Sequence, residues 1–242
     1  MTCVYLMDVN GLEPGIICEE ALQLVDSDRC AKLAGRTGKP FSLSLAAGLL
    51  IQYAYLKYTQ EYPEKNSNPI CSVNAAECIG ALSAAGHVEE VDKTREGRPF
   101  FPDHRDVFFS VSHSGDYAGC LVSDVQAGFD IQECRELTCD ISGRFYPEDE
   151  DAYLKNISAN RTEDFYDLWC LHEAFLKYTG IGLQMGMKDV SFLPAVCADD
   201  RGKDGSFPGV KKETVIDLGK GKKVLAQILQ APAGYCMGLV RD

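Results

Sequence analysis

Three short β-rich runs, residues 107–111, 117–122 and 128–132, lie between two long segments of helical periodicity, so neither an all-helical nor an all-strand fold accommodates this chain. In the first helical segment, 41–58, Leu45, Leu49, Tyr53 and Leu56 recur at helical spacing. Ala46, Leu50 and Ala54 widen the apolar surface, which predicts a helix buried on most sides. The second segment, 163–178, follows a shorter one over 148–156, and Trp169 sits with Phe165, Leu168 and Phe175 on one helical surface. An opening strand is predicted over 1–8, and closing strands over 189–193, 214–218, 224–229 and 235–240, with Lys220-Gly221-Lys222 as a hairpin tip. The three central runs read as a meander. The whole reads as an α+β architecture of two similarly sized halves.

Smaller signals punctuate this plan. Helical spacing through Leu22, Val25 and Leu33 is interrupted near Asp26-Ser27-Asp28, and Asn74 with Glu77 three residues on has the form of a helix-start capping pair. Between them, Glu61 to Pro69 is a loop rich in chain breakers.

Composition narrows the function classes. With 242 residues and 45% apolar content the chain can bury a sizeable core. A formal net charge of −12 argues against general affinity for nucleic acid or an anionic membrane, both of which need a basic face. Eleven cysteines, with no C-x-x-C pair and no Cys/His cluster at zinc spacing, read as reduced, mostly buried thiols. No run is long enough for a membrane span and no secretory leader is evident, so a cytoplasmic location is expected.

The chemistry-bearing residues fall in two segments. Around Trp169-Cys170-Leu171-His172-Glu173-Ala174-Phe175-Leu176-Lys177, a helix presents Glu173 and Lys177 one turn apart before stopping at Gly180. Alone, such a pair is usually an exposed ion pair contributing about 0.2–0.5 kcal/mol. In the strand 128–132, Asp130 and Gln132 project to one face while Ile131 and Glu133 project to the other. A lone Asp at a strand end more often bonds a turn.

The order Ser112-His113-Ser114-Gly115, then Gly128-Phe129-Asp130-Ile131-Gln132, then W-x-x-H-E-A-x-x-K-x-x-G-x-G-L from Trp169 to Leu183 resembles the 4′-phosphopantetheinyl transferases of the Sfp (surfactin-synthetase-activating) type. The resemblance implies two α/β halves related by a pseudo-two-fold. It places an N-terminal half over 1–115 on the coenzyme A 3′-phosphate side, with an insertion at about 60–86, and a C-terminal half over 116–242 carrying the metal and catalytic motifs. The implied activity moves 4′-phosphopantetheine from coenzyme A to a serine of an apo acyl or peptidyl carrier protein, with Mg²⁺ as cofactor and 3′,5′-ADP as leaving product. Glu173 and Lys177 would be catalytic, and Asp130, Gln132 and Glu173 would hold the metal. Coenzyme A would meet Arg98, Pro99, Ser112, His113, His172 and Lys177, with Arg29 and Lys32 toward its 3′-phosphate.

Departures from the family pattern are specific. Gln132 stands where a Glu is usual, His172 where a Lys is usual, and Arg98 replaces a Lys while keeping the cation. A non-catalytic coenzyme A or carrier-protein binder of the same descent is the alternative reading. A monomer is expected, with neither nucleic acid nor membrane as a partner.

Overall fold

The computed structural model describes residues 2–10, 12, 16–61, 70–180, 187–199 and 209–242. The chain divides into two compact units, one of Met1–Arg95 with Pro99–Val125, the other of Glu96–Arg98 with Gln126–Asp242. The boundary drawn at 115/116 from the sequence falls inside a hairpin of the first unit; the division lies ten residues later, because the strand after that turn pairs on both edges with first-unit strands.

The first unit contains β1 (Thr2–Asp8), α1 (Ile16–Leu22), α2 (Ser27–Leu33), α3 (Gly38–Glu61), β2 (Ile70–Ser72), α4 (Ala75–Ala85), the short pair β3 (Asp92–Lys93) and β4 (Pro99–Phe100), and the hairpin β5 (Phe108–Ser114) and β6 (Tyr117–Ser123). Its main sheet has the order β2-β1-β6-β5, with β1 parallel to β2 and antiparallel to β6. Helix α3 is apolar nearly all round, as its sequence predicts: Leu45, Ala46, Leu49, Leu50, Tyr53 and Ala54 all join the core. Asp26 caps α2 by accepting from the Arg29 amide at 3.0 Å, which explains the interruption in helical spacing. Asn74 caps α4 likewise, accepting from the Glu77 amide at 2.8 Å. The region expected as an insertion with one short helix therefore also supplies an edge strand, β2, that the sequence did not signal.

The second unit contains β7 (Ala127–Glu133), α5 (Ser142–Phe145), α6 (Glu148–Asn156), α7 (Arg161–Thr179), a 3-10 turn (Met187–Asp189), α8 (Leu193–Val196), β8 (Val210–Asp217), β9 (Lys223–Leu229) and β10 (Tyr235–Arg241). The sheet is antiparallel throughout in the order β7-β10-β9-β8, and α7 lies on β7 and β10. Two expectations are corrected here. The three-strand meander does not form: β6 is already paired by β1 and β5, so β7 has no edge to join there and pairs with β10 instead. The strand expected over 189–193 is a 3-10 turn followed by α8, whose first turn holds Pro194, a residue without the amide a ladder needs. The tip at Lys220 is a turn, with positive φ at Gly219, Lys220 and Gly221.

Ten cysteines of the described residues are free thiols. Among the described residues, no helix is long and apolar enough to cross a membrane.

One buried carboxyl in the second unit gives the fold a pH signature. Asp167 of α7 is 2% exposed, its Oδ2 has no hydrogen-bond partner, and the Lys211 ammonium stands 4.0 Å away. Burial pushes its pKa up to about 6, against the pull of Lys211. A carboxyl raised on folding favours the protonated native state, so its contribution is complete below about pH 4 and is lost as pH rises through about 6. The loss amounts to about 3 kcal/mol. We expect Asp167→Asn to remove this fall, so that denaturant midpoints of the variant gain on the parent between pH 4 and pH 7 and remain parallel above; a constant difference across that range would contradict it.

Candidate active site

Two glycines set the site. A Cβ on Gly128 of β7 would collide with the Ala174 carbonyl oxygen and lie 2.5 Å from the Tyr178 amide nitrogen. A Cβ on Gly238 of β10 would lie 2.7–2.8 Å from backbone atoms of Cys170 and Leu171. Backbone therefore touches backbone at two points, and α7 is seated on the sheet with nothing between them. Gly238 is the register partner of Asp130, and Asp130 shares a strand face with Gly128. Asp130 consequently projects toward α7, on the helical stripe of Cys170, Glu173, Ala174 and Lys177.

The contacts follow from that placement. Lys177 Nζ donates to Asp130 Oδ1 at 2.7 Å and to the Phe129 carbonyl at 3.1 Å. Asp130 is 5% exposed, whereas the Lys177 side chain keeps 29% exposure, so the ammonium is anchored at one end and reachable at the other. Glu173 is held above the ordinary carboxylate range, first by burial and then by the negative charge of Asp130; Lys177 and His172 oppose the shift. Two carboxylates thus share one neighbourhood, with the Lys177 ammonium bound to one of them.

Gln132 turns its amide nitrogen to the Glu133 carbonyl at 3.4 Å, leaving its oxygen as the group suited to a cation. Register between β7 and β10 runs unbroken from Ala127–Arg241 to Glu133–Tyr235, so no bulge brings Glu133 round to the Asp130 face. Its carboxylate accepts from Arg135 at 2.8 Å instead. Among the described residues no group of three or more His, Cys, Asp or Glu side chains is arranged to hold a metal. Two carboxylates and an amide oxygen nevertheless fit a hard divalent ion that keeps several waters and shares its shell with phosphates.

His172 is not at this site. It is 1% exposed, stacks on Tyr146, meets Phe192 edge-on, and its Nε2 donates to Glu150 Oε2 at 2.7 Å. The expected contact with coenzyme A is therefore corrected to an internal pair within the second unit. Its position signals this: His172 is four residues after Leu168 and three before Phe175, on the apolar stripe of α7. Glu150, unforeseen from the sequence, is fully buried and its Oε1 accepts from the Phe192 amide at 2.5 Å. Replacing His172 by Ala leaves that carboxylate short of a partner, and should cost about 3–5 kcal/mol. Equilibrium denaturation of His172→Ala measures this; a change below about 1 kcal/mol would show that the pair carries little.

Arg98 lies at the C-terminal end of α7. Its guanidinium donates to the Tyr178 carbonyl at 3.4 Å, where Gln126 also donates at 2.6 Å, and burial lowers its pKa. Its stem occupies the space over Gly180, the left-handed C-cap of the helix, where a Cβ would lie 3.0 Å from the Arg98 Cδ. A cation at this helix end is favourable in its own right. The rest of the glycine-ended motif, Ile181-Gly182-Leu183, lies outside the described residues.

The remaining candidates belong to the first unit. Pro99 opens β4, and Ser112 and His113 lie within β5 rather than in a turn, which comes only at Gly115-Asp116. Ser112 is nearly buried opposite Gly119, while His113 is exposed on the other face. Arg29 packs its stem against Gly48 and Val25 is beside it; its guanidinium is largely buried, with Nε lacking a hydrogen-bond partner. Lys32 pairs with Asp28 at 2.5 Å, and Lys93 joins the same carboxylate at 2.9 Å, drawing the Asp28 pKa down to about 2.

Comparison with known proteins singles out the same stretch. Residues 126–214 match the model of the 4′-phosphopantetheinyl transferase superfamily. A 4′-phosphopantetheinyl transferase of Bacillus subtilis is 34% identical over 96 residues, which is 39% of this chain and 43% of that protein. The 4′-phosphopantetheinyl transferase psf-1 of Bacillus pumilus is 37% identical over 92 residues, covering 38% and 40%. A putative 4′-phosphopantetheinyl transferase of Haemophilus influenzae is 31% identical over 104 residues, covering 40% and 43%. The chain matches about two fifths of the length of these curated relatives. The segment that builds β7 and α7, and with them Asp130, Glu173 and Lys177, is therefore the part of this chain shared with the 4′-phosphopantetheinyl transferase superfamily.

Proposed function

We propose that the protein transfers the 4′-phosphopantetheine group of coenzyme A to a serine hydroxyl of an apo acyl or peptidyl carrier protein, releasing 3′,5′-ADP. The observation that carries this reading is the convergence of Asp130, Glu173 and Lys177 where α7 touches β7, within the segment matched by the family model. The reading includes the two halves of related design, with a pseudo-two-fold, that the resemblance implies.

The residues divide the work as follows. Asp130 and Glu173, with the Gln132 amide oxygen, would hold Mg²⁺. When bound, that ion supplies positive charge to the pyrophosphate. Lys177, already fixed by Asp130 and the Phe129 carbonyl, offers its exposed side to a phosphate oxygen and offsets charge gathering on the leaving group. Glu173 takes the proton from the attacking serine hydroxyl, directly or through one water, and its raised pKa brings it nearer the range in which a carboxylate works as a base. The hydroxyl oxygen then bonds to the β-phosphorus as the bond to the bridging oxygen breaks, and 3′,5′-ADP carries that oxygen away. In this reading Arg98, Pro99, Ser112, His113, Arg29 and Lys32 contribute to coenzyme A binding.

Incubating the protein with coenzyme A, Mg²⁺ and a panel of apo carriers, then weighing the carriers, tests the proposal. A carrier heavier by one phosphopantetheine is expected, and no gain should occur when Mg²⁺ is chelated. Unchanged mass for every carrier would contradict it.

The occupation of His172 by Glu150 and the presence of Gln132 favour one second reading, a non-catalytic binder of coenzyme A or of a carrier protein. That protein would take up coenzyme A in a calorimeter without Mg²⁺ and leave it intact.

A further inference from the structure

Strand β7 ends at Glu133, but the ladder continues one residue further, because the Cys134 amide donates to the Gly234 carbonyl at 2.8 Å. Cys236 lies across the ladder as the register partner of Gln132. Cys134 and Cys236 are therefore diagonal neighbours on one sheet face, and their Sγ atoms are 3.2 Å apart. Two thiols at that separation are already inside ordinary van der Waals contact for sulfur. A rotation about each Cα–Cβ bond that closes about 1.2 Å reaches disulfide bonding distance.

Access differs between the two. Cys134 is half-buried at the strand end, whereas Cys236 is only 5% exposed and borders a cavity of about 400 Å³ with Glu163, Asp167, Lys211 and Tyr235. A small oxidant arriving from solvent therefore meets Cys134, the more exposed of the two, and Cys236 is the thiol that follows. By contrast Cys3 and Cys71 are 3.9 Å apart, and Cys3 is 1% exposed.

We infer that Cys134 and Cys236 form an oxidation site at which hydrogen peroxide closes a reversible disulfide between β7 and β10. The Cys134 sulfur, as thiolate, attacks one peroxide oxygen. The O–O bond breaks, and the departing hydroxide takes up the proton that the Cys134 thiol released, leaving as water. Cys236 then attacks the sulfenic sulfur; the S–S bond forms, the S–O bond breaks, and the hydroxyl leaves with the Cys236 proton as a second water. Two thiols lose two electrons in all, and one peroxide is reduced to two waters. The bond ties positions 102 residues apart, so the oxidised second unit resists unfolding more than the reduced one. This site stands on thiol geometry and does not depend on the transferase reading.

Peptide mapping tests it on the parent protein. After treatment with one equivalent of hydrogen peroxide and alkylation without reductant, mass spectrometry should recover the Cys134 and Cys236 peptides linked, two hydrogens lighter, and separable by dithiothreitol. Oxidation should raise the denaturant midpoint, and neither the link nor the rise should appear in Cys134→Ser or Cys236→Ser. The inference fails if Cys134 is recovered alkylated, recovered as a sulfinic acid, or linked to Cys139, Cys197 or any cysteine other than Cys236.

Discussion

Asparagine in place of Asp130 is expected to lower kcat/KM for carrier modification by about 10³-fold or more, a loss of about 4 kcal/mol of transition-state stabilisation. The substitution keeps the volume of a side chain that is 5% exposed, and its amide oxygen can still accept from Lys177. What disappears is one of two negative charges that together suit a divalent ion, so activity should collapse while the fold survives. Initial rates read by carrier mass, beside a denaturation curve, check both halves of the claim. Near-parent activity in Asp130→Asn would remove Asp130 from the mechanism.

The second large effect is structural. Alanine at Gly128 adds one methyl where the Ala174 carbonyl and the Tyr178 amide already stand. Neither obstacle is a side chain able to rotate away; both belong to the backbone of α7. The helix must lift from β7, which also separates Lys177 from Asp130 and opens the contact at Gly238. Overpacking of this kind should cost about 3 kcal/mol or more, a large share of the roughly 5–15 kcal/mol that holds a domain together. Urea unfolding of Gly128→Ala measures the loss. A variant as stable as the parent would mean that helix and strand are not in backbone contact.

Much of this arrangement was legible because it depends on local pattern. The long helix over 41–58, the break in helical spacing near Asp26, the Asn74 cap and the glycine end of α7 are each written in a few neighbouring residues. Asp130 and Gln132 share a face because alternation along an unbulged strand requires it. What the local pattern omits is the choice of partner. Nothing near 128–132 announces that its hydrogen bonds go to a strand about a hundred residues later, so by local pattern alone the third run continues a meander. Gly238, isolated in an apolar strand, was the available sign of a close backbone approach. For His172 motif position and helical phase disagree: residues 172 and 173 are about 100° apart around α7. One faces Tyr146 and Phe192, the other the Asp130 neighbourhood.

Manganese(II), which takes the same oxygen ligands as magnesium and is visible by electron paramagnetic resonance, puts the shared site of Asp130 and Glu173 to the most direct test. In the presence of coenzyme A the parent protein should remove about one free ion per chain from the spectrum, and Asp130→Asn and Glu173→Gln should each weaken that uptake by about 10-fold or more. Equal uptake by the parent and both variants would mean that these two carboxylates do not hold a common ion, and the proposed mechanism would fall with them.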